Sequence, residues 1–476
     1  MIKKWLSAYR FSYIRSLVYM LQASEYNIEN YLRWYGNIKN FYQVEQRKNL
    51  IFSPKALFLF VISWLFVVFL LVFSLWLVGK GVLGILLSIL ILISLPYILA
   101  HGILIPLFFT KYALQRPIEW WIVSLAARKL NSHSGLKIVI AGSYGKTTMR
   151  EILKTVLAEK KKVGAVPHSY NTPLGISKFI RSLDGDEDVL IFELGEYYPG
   201  DIHKLCQLVH PDIGIITGVN EAHLEKFKTL EMTVGTIFEL ADYLGKKPLY
   251  INAESDLAAS KAVGGNVLYS KSGVGDWGVT NCKTSLDGTS FDLIISDSKK
   301  ISLKSHLLGL HQVGPLAAAV YIAHYLDFSN EELIRGVEKT KPFDHRLEPK
   351  KESNGVVFID DSYNGNPDGV KVAIDFLTSI DGRRRFYVTP GLVEMGNMTE
   401  IVHKKIGYML AKAQIEKVVL VKNSVTPFIA DGLINNGYQG EIIWFDDALV
   451  ALSSLSLLTI EGDVVLLQND WPDQYQ

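Results

Sequence analysis

Between Ala56 and Val78 the chain reads ALFLFVISWLFVVFLLVFSLWLV, 23 residues without a charge, and this run limits the fold more than any other segment. Roughly 20 apolar residues of helix cross the hydrocarbon core of a bilayer. Backbone N–H and C=O groups in hydrocarbon must bond within the segment, so the run has to be helical. A second uncharged stretch, Val82 to Ala100, follows after only Gly79-Lys80-Gly81, and apolar character continues past His101 and Pro106 to Phe109. The pair predicts a tight transmembrane hairpin over 56–110. Lys and Arg crowd both outer flanks, from Lys3 to Lys55 before it and from Lys111 to Lys129 after it, whereas the turn holds Lys80 alone. The positive-inside rule then puts both termini on the cytoplasmic side of the cell membrane. A cleavable signal fits poorly, because the block starts some 55 residues in and exceeds an apolar region of about 7 to 15 residues. Two buried core helices are the other reading of the same pattern.

Residues 1–55 are basic and rich in aromatics (Trp5, Tyr9, Phe11, Tyr13, Tyr19, Tyr26, Tyr31, Trp34, Tyr35). Such a mix suits cytoplasmic helices lying at the headgroup level, with an ordinary packed helical domain as the alternative. Elsewhere charge is uninformative: 49 Lys plus Arg face 48 Asp plus Glu, so nothing in the balance calls for nucleic acid. Cys206 and Cys282 lack zinc or disulfide spacing and read as free, buried thiols.

After Lys111 the composition changes. A juxtamembrane helix is expected over 111–135, and from Leu136 onward β-rich apolar runs alternate with helical patterns, the signature of βαβ units around a parallel sheet. The first run, LKIVIA, leads into Gly142-Ser143-Tyr144-Gly145-Lys146-Thr147-Thr148. Glycines there let backbone N–H groups converge on phosphate oxygens, and a helix beginning near Thr148 adds its positive end. Lys146 would hold the β- and γ-phosphates of ATP, and the Thr147 hydroxyl would face Mg²⁺. The usual phosphate-loop spacing is broken by Ile140, which stands where its first glycine belongs; a plain strand-to-helix turn is the bland alternative. VLIF ends in Glu193-Leu-Gly195-Glu196, and IGIITG leads into Asn220-Glu221-Ala-His223. Ligands of open α/β sheets bind outside the carboxyl ends of strands, so Glu193 and His223 should reach the phosphates and form a magnesium site. Singly, Glu193 could be a helix cap and His223 a structural loop residue.

The sequence resembles the Mur ligase family over about residues 136 to 470, and most closely the branch that adds D-alanyl-D-alanine to the peptidoglycan precursor. The resemblance rests on AGSYGKTT, Asn171-Thr-Pro-Leu-Gly175, Glu193-Leu-Gly195, TGVNEAHLEKF at 217–227 and YINAESD at 250–256. It continues in Gly309-Leu-His311-Gln312, His345-Arg346-Leu-Glu348, DDSYNGNPDG at 360–369 and VTPGLVEMG at 388–396. It implies a central ATPase domain over 136–342 and a Rossmann-like domain over 343–476, an α/β fold behind the hairpin. It also implies a reaction: ATP phosphorylates a substrate carboxylate, an amine donor (an amino acid or dipeptide) attacks the acyl phosphate, and phosphate leaves. By the same resemblance Lys146, Asn171, Glu193 and His223 are catalytic. Thr147, Glu193 and His223 hold Mg²⁺. Gly142, Ser143, Gly145, Lys146, Thr147, Thr148, Gln312, Arg346 and Asp361 meet ATP.

The pattern also departs from the family. Ile237 stands where most members carry a carbamylated lysine for a second metal, so no bicarbonate dependence is expected; one Mg²⁺ would suffice, or a nearby carboxylate would substitute, Glu196 beside the first metal ligand in preference to Glu239. Gln312 takes the place of an adenine-binding asparagine, and Gln468-Asn469-Asp470 replaces a Lys-Gly-Ser run. The hairpin occupies the place of the family's uridine-diphosphate-binding domain, which points to a lipid-linked acceptor in the same bilayer; a simple tether is the alternative. Synthesis of a poly-amino acid or capsule component, and a catalytically inactive binding homologue, are the rival functions. A membrane-hairpin tyrosine kinase fits worst, because the turn between the helices is about three residues.

Overall fold

The computed structural model describes all residues except 1, 25, 45–48, 168, 221–228, 297–298, 364, 394 and 470–476. The chain forms two compact units, Met1–Ile122 and Val123–Gln476.

The first unit is helical. Ser53 caps the helix Pro54–Val78 by accepting from Ala56 N, with Pro54 pre-set for the first turn. Pro54–Val78, of 25 residues, and the helical run Val82–Asn131, of 50, are long and apolar enough to cross a membrane. Gly81, at φ +85°, makes the turn between them, and the Ser74 and Ser88 hydroxyls meet across the two arms. Lys55 Nζ donates to Gln115 Oε1 at 3.0 Å, which brings the two charged flanks together at the open end.

Pro96 lies inside the second arm, Val82–Gly102. Its ring nitrogen carries no hydrogen, so the carbonyl four residues back loses its helical donor. The N-terminal helices Ile2–Ala8, Tyr13–Ala23 and Ile28–Asn37 fill that gap. The Tyr9 hydroxyl lies 2.8 Å from the Leu92 carbonyl and Trp5 Nε1 donates to Ile93 O at 3.2 Å. Tyr13 bonds Pro96 O at 2.9 Å, and Tyr31 bonds Ala100 O at 2.8 Å. Tyr13, Leu17, Leu21 and Tyr31 share one buried cluster with Leu59, Leu99 and Ile103. The aromatics expected at headgroup level therefore act in part as packed donors against the second arm, because each tyrosine offers an apolar ring with a polar tip.

Among the described residues the second unit holds two sheets. The larger has ten strands in the order β10-β9-β8-β7-β6-β5-β4-β1-β3-β2. These are β1 Leu136–Ala141, β2 Val163–Ala165, β3 Val189–Glu193, β4 Ile213–Ile216, β5 Leu249–Asn252, β6 Val267–Ser270, β7 Gly273–Val274, β8 Trp277–Ser285, β9 Gly288–Ser296 and β10 Lys299–Ser305. From β2 through β6 the pairing is parallel, and from β6 to β10 it is antiparallel. Both faces of β1 are buried, as in a covered parallel sheet. Ile138 and Ile140 pack with Met149, Leu153 and Val156 on one side, whereas Val139 and Ala141 pack with Phe192, Ile180 and Leu205 on the other. This alternation follows the two-residue period of a strand. Truncating Phe192, fully buried, to alanine would cost about 3–5 kcal/mol.

The smaller sheet has the order β11-β12-β16-β13-β14-β15 and is parallel apart from the antiparallel β11. Its strands are β11 Glu348–Lys351, β12 Val357–Asp361, β13 Arg385–Thr389, β14 Lys417–Val421, β15 Glu441–Phe445 and β16 Val464–Gln468. The five apolar runs read from the sequence are β12 to β16. Three helices, Pro367–Thr378, Thr399–Lys412 and Thr426–Asn435, cover one face, and Ala448–Leu458 lies on the other. Cys206 is buried and Cys282 half-buried, both free, so only the first matches the expected buried thiol.

Candidate nucleotide site

β1 is central to the reversal of strand order: β3 and β2 lie on one side of it and β4 on the other. The crevice at such a reversal, outside the carboxyl ends, is where open α/β sheets bind ligands. Register places Ile140 beside Glu193 and Ala141 beside Ile216, so the loops after β1, β3 and β4 start level.

The loop after β1 is forced by its glycines. A Cβ at Gly142, at φ +142°, would sit 2.4 Å from Thr217 Oγ1. Gly145 adopts φ +78° and caps the helix Lys146–Leu157. The helix thus begins at Lys146, two residues ahead of the expected Thr148, because the left-handed glycine ends the loop there. Ser143 N donates to Gly218 O at 2.8 Å and ties the loop to the segment after β4. The Ser143 hydroxyl is buried without a hydrogen-bond partner among the described residues. A glycine cradle, an orphaned hydroxyl, a lysine and a helix N-terminus together fit a polyphosphate.

Lys146 Nζ lies 2.9 Å from both oxygens of Glu196 and also meets the Gly142 carbonyl. Thr147 Oγ1 donates to Glu193 Oε2 at 3.3 Å. The other carboxylate oxygen, Glu193 Oε1, lies 2.7 Å from Arg150 Nη1, an ion pair without the alignment of a hydrogen bond. Arg150 also pairs with Glu151 at 2.6 Å. Thr148 follows in the first helical turn, half-buried. A hydroxyl and a carboxylate held together by oxygen atoms suit Mg²⁺. His223 lies outside the described residues.

Asn171 stands against the loop after β3. Its carbonyl accepts from Gly195 N at 2.9 Å, and its Oδ1 accepts from the Tyr197 hydroxyl at 3.4 Å. Arg346 comes from the second sheet's leading turn, where His345 and Leu347 on either side of it both have positive φ, +60° and +44°. Such backbone is costly outside glycine, and here ties hold it: Leu347 N donates to Asp361 Oδ1 at 3.3 Å and His345 Nδ1 meets Asp360 Oδ2 at 2.8 Å. Burial lowers the Arg346 pKa, and the charges of Asp361 and Glu193 act on it in the opposite sense. Arg346 is thus within electrostatic reach of the site. The Asn220 amide adds a further link, donating to Asn366 Oδ1 at 3.2 Å and Asp368 Oδ2 at 2.9 Å.

Gln312 sits in the turn before the helix Val313–Tyr325, which packs on the helix Lys146–Leu157. Its amide donates to His311 Nε2 at 2.8 Å, and burial lowers His311 to about 4, leaving the imidazole neutral. Gln312 Oε1 is buried without a partner among the described residues. Sequence reasoning missed Arg150 and Asn220. Arg150 was within reach of it, because a residue four after Lys146 lies on the same helix face.

Two carboxylates considered for a second metal have other partners. Glu239 accepts from Gly200 N at 2.6 Å and His203 N at 3.0 Å, capping the helix Asp201–Val209. Glu196 is on Lys146. Ile237 is fully buried in the apolar core beneath the sheet.

Asp361 gives a pH prediction. Burial raises its carboxyl to about 6, although Arg346 and the Gln468 amide pull it down. An unfolded aspartate titrates near about 4, so the folded state holds the proton more tightly. Its contribution is complete below about pH 4 and is lost as pH rises through about 6. Asp361→Asn should remove a fall on the order of 2–3 kcal/mol across that window. Thermal midpoints measured from pH 4 to 7 check this; an unchanged slope in the variant would contradict it.

Comparison with known proteins agrees with the geometry. Residues 140–323 match the Mur ligase middle domain and residues 345–468 the Mur ligase, glutamate ligase domain. The UDP-N-acetylmuramoyl-tripeptide--D-alanyl-D-alanine ligase of Bacillus subtilis is 23% identical over 369 residues, 75% of this chain and 76% of the relative. The protein of the same name from Mycobacterium bovis is 28% identical over 299 residues, and the chain spans only 58% of its length. Among solved structures, the MurF ligase from Thermotoga maritima in complex with ADP shares the fold at a TM-score of 0.65 and 23% identity, over 74% of this chain and 80% of that one. MurF from Acinetobacter baumannii gives 0.64 at 21% identity, over 74% and 77%. With two successive domain models matched in order along one sheet-bearing unit, the chain belongs to the Mur ligase family of ATP-dependent ligases.

Proposed function

We propose that this chain is a membrane-anchored ligase that uses ATP and Mg²⁺ to join an amine donor to a carboxylate on a peptidoglycan precursor. The observation that carries the reading is the convergence of Lys146, Thr147 and Glu193 at the strand-order reversal, with Arg346 in reach from the second sheet. Lys146 and the loop N–H groups hold the phosphates. Thr147 and Glu193, with His223, would hold Mg²⁺, which when bound offsets negative charge on the phosphates. Gln312 Oε1 is a candidate acceptor for the nucleotide base. Asn171, held against the loop after β3, would stand near the γ-phosphate and the acceptor. Arg346 and Asp361 bring the C-terminal domain over the nucleotide, so that water is kept from the acyl phosphate. Lys146, Thr147, Glu193 and the His223 motif favour an active enzyme over an inactive homologue.

In this reading residues 1–55 are interfacial helices, 56–110 the hairpin, 111–135 a juxtamembrane helix, 136–342 the ATPase domain and 343–476 the Rossmann-like domain. Both termini and the ligase domains lie on the cytoplasmic side. The relatives' names point to a muramoyl-tripeptide acceptor and D-alanyl-D-alanine as donor. Confinement to one bilayer raises the effective concentration of a lipid-linked acceptor. The full chain in lipid nanodiscs, supplied with D-alanyl-D-alanine and either the UDP-linked or the lipid-linked muramoyl tripeptide, should release ADP faster with the lipid-linked form. Equal rates would reduce the hairpin to a tether. No ADP with either acceptor would favour the capsule or poly-amino-acid reading, or the inactive one.

Because Ile237 has no amine to carbamylate, turnover in CO₂-depleted buffer should equal that with added bicarbonate. Stimulation by bicarbonate would mean that another lysine takes the role. Ile237→Lys would put an ammonium into apolar core and should lower the thermal midpoint.

A further inference from the structure

The partner of Lys146 carries a consequence for nucleotide binding. Both carboxylate oxygens of Glu196 lie 2.9 Å from its ammonium, and the Glu196 side chain is only 3% exposed. The neighbouring carboxylate, Glu193, has its own buried cation in Arg150. The charges at the loop therefore fall into two groups, Lys146 with Glu196 and Arg150 with Glu193 and Glu151. A polyphosphate that takes Lys146 must draw it from Glu196. That step leaves a nearly buried anion next to further negative charge, where low dielectric makes repulsion strong.

We infer that Glu196 makes nucleotide binding conditional on a divalent cation: it holds Lys146 while nucleotide is away, and it opposes any polyphosphate that arrives without a metal ion to offset its charge. This rests on reading 142–148 as the nucleotide loop. Free ADP meets an anionic pocket, whereas its Mg²⁺ complex brings the charge that Glu196 lacks once Lys146 has turned to the phosphate. AMP, without a β-phosphate for Lys146, does not disturb the pair and binds independently of metal.

The experiment is calorimetric titration of ADP and AMP into the full chain in detergent micelles, in Mg²⁺ and in EDTA, for the parent, Glu196→Gln and Glu196→Asp. In the parent, chelation should weaken ADP at least tenfold and leave AMP unchanged. Glu196→Gln, which keeps shape and loses charge, should bind ADP in EDTA at least tenfold tighter than the parent does. Glu196→Asp should keep the parent's metal dependence. A parent that binds ADP equally in Mg²⁺ and EDTA overturns the inference without any variant. So does Glu196→Gln with the parent's ratio. If no form binds ADP under either condition, the nucleotide reading of the loop falls together with the inference.

Discussion

Replacing Lys146 with alanine should abolish ADP release, a loss of at least roughly 100- to 1,000-fold by analogy with removing one charge-stabilising donor from an active site. Phosphoryl transfer depends on positioning and on positive charge rather than on covalent help from the protein, and Lys146 is the side-chain cation of the loop. The structure adds a cost that the loop sequence does not show. Without Lys146 the nearly buried Glu196 carboxylate loses its partner, and breaking a buried pair costs up to about 3–5 kcal/mol. The single variant should therefore melt earlier as well as fail to turn over. The double variant Lys146→Ala with Glu196→Gln should regain much of the thermal midpoint and none of the activity. Parent-like turnover in either would remove Lys146 from the chemistry.

The second large effect is expected at Glu193. Its two oxygens face different groups, Thr147 on the side that would meet Mg²⁺ and Arg150 on the side of the core. Glu193→Ala withdraws a candidate metal ligand and removes one of the two carboxylates on the Arg150 guanidinium, which keeps Glu151. Turnover should be lost, and stability should fall by about 1–3 kcal/mol, because one face of the buried guanidinium loses its partner. Glu193→Gln keeps the shape and an oxygen for the metal, so it should raise the Mg²⁺ concentration needed for half-maximal ADP release with a smaller loss of stability. His223→Ala should shift the same Mg²⁺ curve. If Glu193→Gln and His223→Ala both reproduce the parent's curve, these residues are structural.

Several parts of this protein were legible because their cause is local. The hairpin follows from two uncharged runs separated by Gly79-Lys80-Gly81. The loop after β1 follows from Gly142 and Gly145, whose positive φ no other residue adopts easily, and from an apolar strand that ends there. The strands β12 to β16 follow from short apolar runs bounded by polar residues. In each case neighbours within a few positions decide the backbone.

Tertiary structure decided which polar groups face one another. Lys146 and Glu196 are 50 residues apart, Thr147 and Glu193 are 46, and Asn220 and Asp368 are 148; strand order, not spacing, brings them together. Sequence offered Glu196, and behind it Glu239, as spare carboxylates. Packing gave one to the lysine and the other to a helix end, because a buried N–H or ammonium takes the nearest acceptor. The N-terminal tyrosines show the same division. Their aromatic character was visible, but their use as donors to carbonyls near Pro96 depended on three helices docking beside the second arm. Local sequence chose the elements, and long-range packing chose the pairings, since a hydrogen bond or ion pair depends on distance in space and not on distance along the chain.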